Sequence, residues 1–337
     1  MQWFNLQSHM LRFDEYLAGD DQAKKRIVYE NLQNHPHIAA GWLYRRFKLF
    51  KQKVLEPLLE YKDYWHRFKW QSCGSGHTHG VCWVPDAPVA DMSTPESQAS
   101  FVQFWSQHIT AHNPDANHHP DSTHPSSLPY EQQQNLKDFL NACLNWFQQH
   151  SRCTESYCLR KKKGASIKSC RFRFPRPVQD AASLTTDLNP TYLTFVPQRN
   201  DPLLNPYMAT ITIGWLANTD VNPPTSSKVV INYIAKYCSK AEKKSETYSD
   251  LLRQILPRLN ERTPLFSLAS KLMNKFIGER DWSAQEVCHI LLGLPLQEDS
   301  RQVISLDCCP EDKQDTRVTI EDDEITAGQS ALDKYKS

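Results

Sequence analysis

The stretch Tyr64–Gln71, followed at once by Ser72-Cys73-Gly74-Ser75-Gly76 and then His77-Thr78-His79-Gly80, constrains the fold more than any other part of the chain. The first run alternates. Tyr64, His66, Phe68 and Trp70 fall on one face, and Trp65, Arg67, Lys69 and Gln71 on the other. Side chains two apart in a strand share a face. The Gly-Ser-Gly run marks a tight turn. The pattern therefore predicts an antiparallel hairpin whose second strand continues through Val81-Cys82-Trp83-Val84 to Pro85. On that strand His77 and His79 project together at a spacing a metal ion can bridge. The first strand can bring Gln71 beside them. The plainer alternative is a pair of histidines that pack and bind nothing.

Composition narrows the setting. With 337 residues, the chain has length for two or three domains. Hydrophobic residues make up 39% and charged residues 23%, enough for soluble cores. No apolar run approaches the about 18 residues of a membrane helix, so no membrane partner is expected. The first residues, Met1-Gln2-Trp3-Phe4, lack the charged-then-apolar order of a signal peptide. The expectation is an intracellular protein with its ten cysteines reduced. Clustered cysteines then suggest metal before disulfides. A net charge of +1 means that any nucleic-acid contact must come from local patches.

Asp20-Asp21 opens a predicted helix through Leu32. A second follows Pro36, with Ile38, Trp42, Leu43, Phe47, Phe50, Val54 and Leu58 at helical spacing and Arg45, Arg46, Lys48, Lys51 and Lys53 opposite. That basic face reads as solvated surface or as a DNA contact. Residues 85–129 have loop composition apart from a short helix at Phe101–Trp105. A helix is predicted from Tyr130 to about Gln149. Tyr192–Val196 and Tyr207–Trp215 read as strands, the latter with Ala209, Ile211, Ile213 and Trp215 on one face. Val229–Lys240 reads as a helix capped by Thr225, Ser226 or Ser227. Tyr233 and Tyr237 share one of its faces, each followed three residues on by a lysine, Lys236 and Lys240. Taken alone, that helix reads better as a core element with two packed tyrosines. Helical patterns continue at 248–259 and 265–277, and Ser283-Ala284-Gln285-Glu286 is a capping box. Residues 311–337 are polar and acidic and are expected to be disordered or a linker.

A second chemical cluster is His150-x2-Cys153-x4-Cys158-x11-Cys170, the ligand set of a closed structural zinc site. Its alternative is a set of unliganded cysteines. Around it lie Arg160, Lys161, Lys162, Lys163, Lys168, Arg171, Arg173 and Arg176, with Phe172 and Phe174 interleaved. Basic residues alternating with aromatics suit phosphate contact and base stacking, and Lys161, Lys162, Lys163, Arg171 and Arg173 are the candidate DNA contacts. The run could equally serve as a nuclear-import signal.

Four of these stretches, in this order, resemble the Rep nuclease domain of Helitron rolling-circle transposons, which belong to the HUH endonucleases. Asn34-His35-Pro36-His37-Ile38-Ala39-Ala40 looks like the family's approach helix, and Phe68 through Gly80 like its two-histidine motif. His150, Cys153, Cys158 and Cys170 with Phe174-Pro175 resemble its small cysteine-rich insertion. Asn205-Pro206-Tyr207, Asn218, Asp220 and Tyr233-Ile234-Ala235-Lys236-Tyr237 resemble its two-tyrosine region. The resemblance implies an α+β fold, a central antiparallel sheet with helices packed on it. It implies a catalytic Mg²⁺ or Mn²⁺ on His77, His79 and Gln71, nucleophiles Tyr233 and Tyr237, phosphate contacts from Lys236 and Lys240, and single-stranded DNA as substrate in the nucleus.

The implied organisation is a first nuclease half over 1–130, a helix and basic insertion over 131–180, and a second half over 181–245. A helical extension over 246–300 and an acidic flexible tail over 301–337 complete it. The sequence departs from the family at Lys69, where an acid is usual, and at Gly76, where proline is usual. The family's domain begins with a strand that would lie upstream of Met1, and these residues hold no helicase phosphate loop of the form Gly-x4-Gly-Lys-Ser/Thr. The expectation is a truncated transposase whose helicase would act in cis or trans. The competing class is an inactive remnant that only binds single-stranded DNA. A metallo-hydrolase of the His-x-His-x-Asp-His type is excluded by Val81-Cys82.

Overall fold

Residue patterning on the hairpin decides which face meets the core. In the computed structural model, β1 (Asp63–Gln71) pairs antiparallel with β2 (Ser75–Trp83). The structure describes residues 11–71, 75–88, 92–115, 124–128, 130–151, 153–155, 158–161, 166–187, 191–239, 282–301, 316–321 and 324–330. His66, Phe68 and Trp70 are buried, with Phe68 2% and Trp70 1% exposed. They lie under α1 (Pro36–Phe50), where Leu43 joins Phe68 and Trp70 in one cluster, flanked by Tyr44, Phe47 and Trp215. Pro36 occupies the first turn of α1, where a missing N–H costs nothing. The preceding helix, Asp21–Asn34, begins at Asp20, whose carboxylate accepts from the Ala23 N–H.

Gly76 is the position at which this packing allows no side chain. A Cβ there would stand 2.4 Å from Leu43 Cδ2 and 3.1 Å from the Trp70 indole nitrogen. Any residue with a Cβ, proline included, would meet the same contact. Gly76→Ala should destabilise the fold by about 1–3 kcal/mol as Leu43 is displaced. A thermal melt of the variant checks this, and an unchanged midpoint contradicts it.

β1 is the middle strand of a three-stranded sheet ordered β2, β1, Gln297–Asp299. The third strand is too short and polar to read from sequence, and it lies inside the region expected to be a helical extension. It is held by a hydrogen bond from the Phe68 N–H to Leu296 O at 2.8 Å. Glu298 accepts from the Tyr44 hydroxyl at 3.1 Å and lies 3.7 Å from His66 Nε2. A neighbouring cluster joins Phe50, Phe101, Ile109, Phe195, Met208 and Ile211. It ties α1 to the helix Pro95–Ser106 and to the two-stranded pair Ser183–Thr185 and Thr194–Val196. The fold class is thus α+β with a small antiparallel hairpin sheet and helices.

Three expectations fail. Tyr207–Trp215 is not a strand: Ala209–Trp215 is a helix. Its alternating Thr and Ile residues favour strand, but packing overrides that preference. Ile211 and Thr212 are buried, and Gly214 lets the helix approach closely, since a Cβ there would meet Val54 at 3.0 Å and Phe50 at 3.2 Å. The predicted helix from Tyr130 to Gln149 is broken. Tyr130–Gln133 ends, and Asn135 caps a new helix, Leu136–Cys143, that runs into a π-turn at Leu144–Gln148. Residues 311–337, expected to be disordered, carry an antiparallel hairpin, Thr316–Glu321 with Glu324–Ser330. The segments 248–259 and 265–277 lie outside the described residues. The serine half of the capping box is as expected, with Ser283 Oγ accepting from the Glu286 N–H at 3.2 Å.

The chain divides into two units, Met1–Glu298 and Asp299–Ser337. Among the described residues, no helix is long and apolar enough to cross a membrane.

Candidate functional site

The face of the hairpin turned away from α1 carries the histidines. His77 and His79 stand with ring centroids 4.9 Å apart. Over them lies α2 (Ser227–Ser239), the tyrosine helix, whose opening is marked by Ser226 Oγ accepting from the Val229 N–H. Its four-residue spacing brings Tyr233 and Tyr237 to this face, their ring centroids 4.6 Å apart. His79 Nδ1 is 3.1 Å from the Tyr233 hydroxyl. The His79 ring stacks on Tyr237 at 3.6 Å between centroids. Residues 154 positions apart in the chain thus meet at hydrogen-bond distance.

Of the other residues expected here, Lys236 lies 5.4 Å above the Tyr237 ring. The backbone of Gln71 pairs with Ser75 at the end of the hairpin, while its side chain and all of Lys240 lie outside the described residues. Desolvation pushes the Tyr233 phenol above its ordinary value, with the charges of Tyr237 and Asp220 adding to it and a backbone bond to Gly80 opposing it. Tyr237 is raised by desolvation and by Asp220. Each phenol therefore keeps its proton at neutral pH until a positive charge or a base draws it off.

A divalent ion would find two imidazoles here. His77 Nδ1 lies 3.4 Å from Ser75 O, and His79 Nδ1 lies 3.1 Å from the Tyr233 hydroxyl. Imidazole donors suit Mn²⁺ better than Mg²⁺, which favours carboxylate and water oxygens. Two imidazoles alone are fewer donors than a divalent ion's site needs, and the Gln71 amide that would extend them lies outside the described residues.

The second cluster closes fully. His150 follows the π-turn, the Cys158 N–H donates to the carbonyl of Thr154 beside Cys153, and Cys170 ends the strand pair Leu159–Lys161 and Lys168–Cys170. The four ligand atoms all lie within 4.8 Å of one another. Cys153 and Cys158 sulfurs are 3.1 Å apart, and Cys170 Sγ is 3.5 Å from His150 Nε2. Tetrahedral zinc with Zn–S near 2.3 Å needs ligand separations of about 3.8 Å, so the cluster can hold a metal such as zinc. Among the described residues it is the one group of three or more His, Cys, Asp or Glu ligands close enough to do so. Hydrogen bonding to Cys158, with desolvation, lifts the Cys153 thiol to about 12. At Cys170 desolvation works upward, but backbone N–H groups of Phe174 and Phe172 bring the thiol below its ordinary value. Such donors favour a thiolate ligand.

Around the cluster, Lys161, Arg171 and Arg173 are exposed, whereas Lys162 and Lys163 lie outside the described residues. The Arg171 guanidinium sits 4.5 Å over Phe172, and Arg176 sits 4.4 Å over Phe174, which itself stacks on His150 at 4.5 Å. Lys168 is paired with Glu155 at 2.8 Å.

Sequence reasoning missed how the two clusters connect. Gln148, two residues before His150, exchanges hydrogen bonds with Thr219 at 2.7 and 3.0 Å, and Asn218 donates to Phe147 O at 2.8 Å. This anchors the loop that carries Asp220, whose charge acts on Arg176 and on both tyrosines. The signal was the Asn218 and Asp220 pair, which has no regular spacing to mark its partner. No family model matches the chain, and neither a curated protein nor a solved structure does.

Proposed function

We propose that this chain nicks and transfers single-stranded DNA through a covalent phosphotyrosine, as the Rep domain of a Helitron transposase does. The single observation that supports this most is the 3.1 Å contact between His79 Nδ1 and the Tyr233 hydroxyl, with Tyr237 stacked on the same ring. In this reading the Tyr233 oxygen attacks the scissile phosphorus. The bond from phosphorus to the 3′-oxygen breaks, and that oxygen leaves as a 3′-hydroxyl after taking up a proton. The phenol's own proton passes to solvent as the new bond to the 5′-phosphate forms, and the one the 3′-oxygen takes up comes from solvent, so the step is proton-neutral overall. The phosphodiester energy is kept in the tyrosine ester, so a 3′-hydroxyl can later reverse the step. Tyr237 permits a second transfer while the first end stays attached. A divalent ion held by His77, His79 and Gln71 would supply polarisation of the phosphate oxygens. Lys236 would add charge at the same place, as would Lys240.

Purified protein should cleave a 5′-labelled single-stranded oligonucleotide in Mn²⁺ and stop in EDTA. No cleavage and no adduct across varied oligonucleotides would reject the reading. Function as part of a nuclear transposase whose helicase lies in cis or in trans belongs to the same proposal.

A second reading, a module that binds single-stranded DNA without cutting it, draws on the exposed Arg171 stacked on Phe172. Basic and aromatic surfaces of this kind bind backbone and base together. Lys161→Glu with Arg171→Glu should then weaken oligonucleotide binding by about tenfold or more at low salt. Unchanged binding in the folded variant would remove that surface from the account.

A further inference from the structure

The hairpin register sets a cation opposite each histidine. Lys69 pairs with His77, and Arg67 pairs with His79. Directly opposed residues of an antiparallel pair share a face. Arg67 and Lys69 therefore lie on the face covered by the tyrosine helix, not on the face packed under α1. From the Trp65–Val81 pair to the Gln71–Ser75 pair, no Asp or Glu stands on this face of the two strands. Arg67 Nε is buried without a hydrogen-bond partner. Buried donors are nearly always satisfied, and an exception calls for a ligand or a role. A guanidinium fork matches two phosphate oxygens, and an ammonium group adds a point charge. Asp220 adds a negative charge felt by both tyrosines, but the charges of the two strands themselves over that span are both positive, and they oppose a divalent ion and favour an anion.

We propose that Arg67 and Lys69 bind a phosphodiester of single-stranded DNA between the histidine face and the tyrosine helix. The chain then supplies part of the positive charge that the reaction needs. The identity of the anion rests on the nicking reading, but the binding is testable apart from it.

The experiment measures affinity for a fluorescein-labelled single-stranded oligonucleotide across salt concentrations, in EDTA, for the full chain. Arg67→Gln and Lys69→Gln are compared with Lys25→Gln, an exposed control on the helix Asp21–Asn34. Each phosphate contact removed should flatten the log–log salt slope by about 0.7. Lys69→Arg, which keeps the charge, should restore the original slope, and a folding defect would not be rescued selectively in this way. Mn²⁺ titrated without DNA should bind Lys69→Gln about threefold or more tightly, since a repelling charge is gone. Slopes identical to wild type in both glutamine variants overturn the proposal. A changed slope with no covalent adduct in the wild type rejects nicking and leaves this phosphate site standing. An adduct with unchanged slopes does the reverse.

Discussion

Replacing both Tyr233 and Tyr237 with phenylalanine should abolish covalent attachment of the protein to DNA, a loss of at least about a thousandfold in nicking. Phenylalanine keeps the ring and removes the attacking oxygen, so stacking against His79 survives. The single variants should differ. Tyr233 shares a hydrogen bond with His79, while Tyr237 meets that ring face to face. Tyr233→Phe should therefore lose most of the first cleavage, and Tyr237→Phe should retain it while losing transfer of a second end. Neither single change should remove all attachment. A denaturing gel of labelled oligonucleotide reads both outcomes. Full nicking by the double variant would mean that the two phenols are packing groups.

The second large effect concerns the Cys/His cluster. Purified protein should contain about one zinc per chain. Cys158→Ser should release it, since Cys158 is fully buried and one of four ligands converging within 4.8 Å. Structural zinc contributes on the order of 10 kcal/mol in small zinc-binding peptides. The cluster has little else to hold it: Cys158, Cys170 and Phe174 form its only buried apolar group among the described residues, with Leu203 beside them. Loss of metal should therefore melt the segment from His150 to Cys170 and lower overall stability by several kcal/mol. The π-turn before His150 is tied to Asn218 and Thr219, so the tyrosine helix should loosen as well. Elemental analysis with a thermal melt before and after a strong chelator measures this. Folded protein free of zinc, with an unaltered melt in chelator, would reject the assignment.

The hairpin was legible because two local signals agreed: alternation over Tyr64–Gln71 and a glycine turn after it. Pairing then fixes which residues share a face with His77. The Cys/His cluster was legible from spacing, since its four candidate ligands lie within 21 positions, His150 to Cys170. The meeting of His79 with Tyr233 was not legible from pattern. Nothing periodic links residues that far apart, and only the resemblance to a family motif placed them together. Propensity failed at Ala209–Trp215, where Thr and Ile side chains argue for strand but Gly214 and the neighbouring Phe50 and Val54 accept a helix. Break points within helical patterns, such as Asn135, depend on capping that competes evenly with continued helix. The third strand, Gln297–Asp299, has no apolar residue to mark it.

The account turns on whether a phenol oxygen of the tyrosine helix becomes bonded to DNA. Protein incubated with a single-stranded oligonucleotide and Mn²⁺, then digested with protease and nuclease, should yield a peptide heavier by a nucleotide phosphate. Fragmentation should place that mass on Tyr233, with a lesser amount on Tyr237. A peptide carrying no added mass, under conditions in which the oligonucleotide is bound, would contradict the central claim.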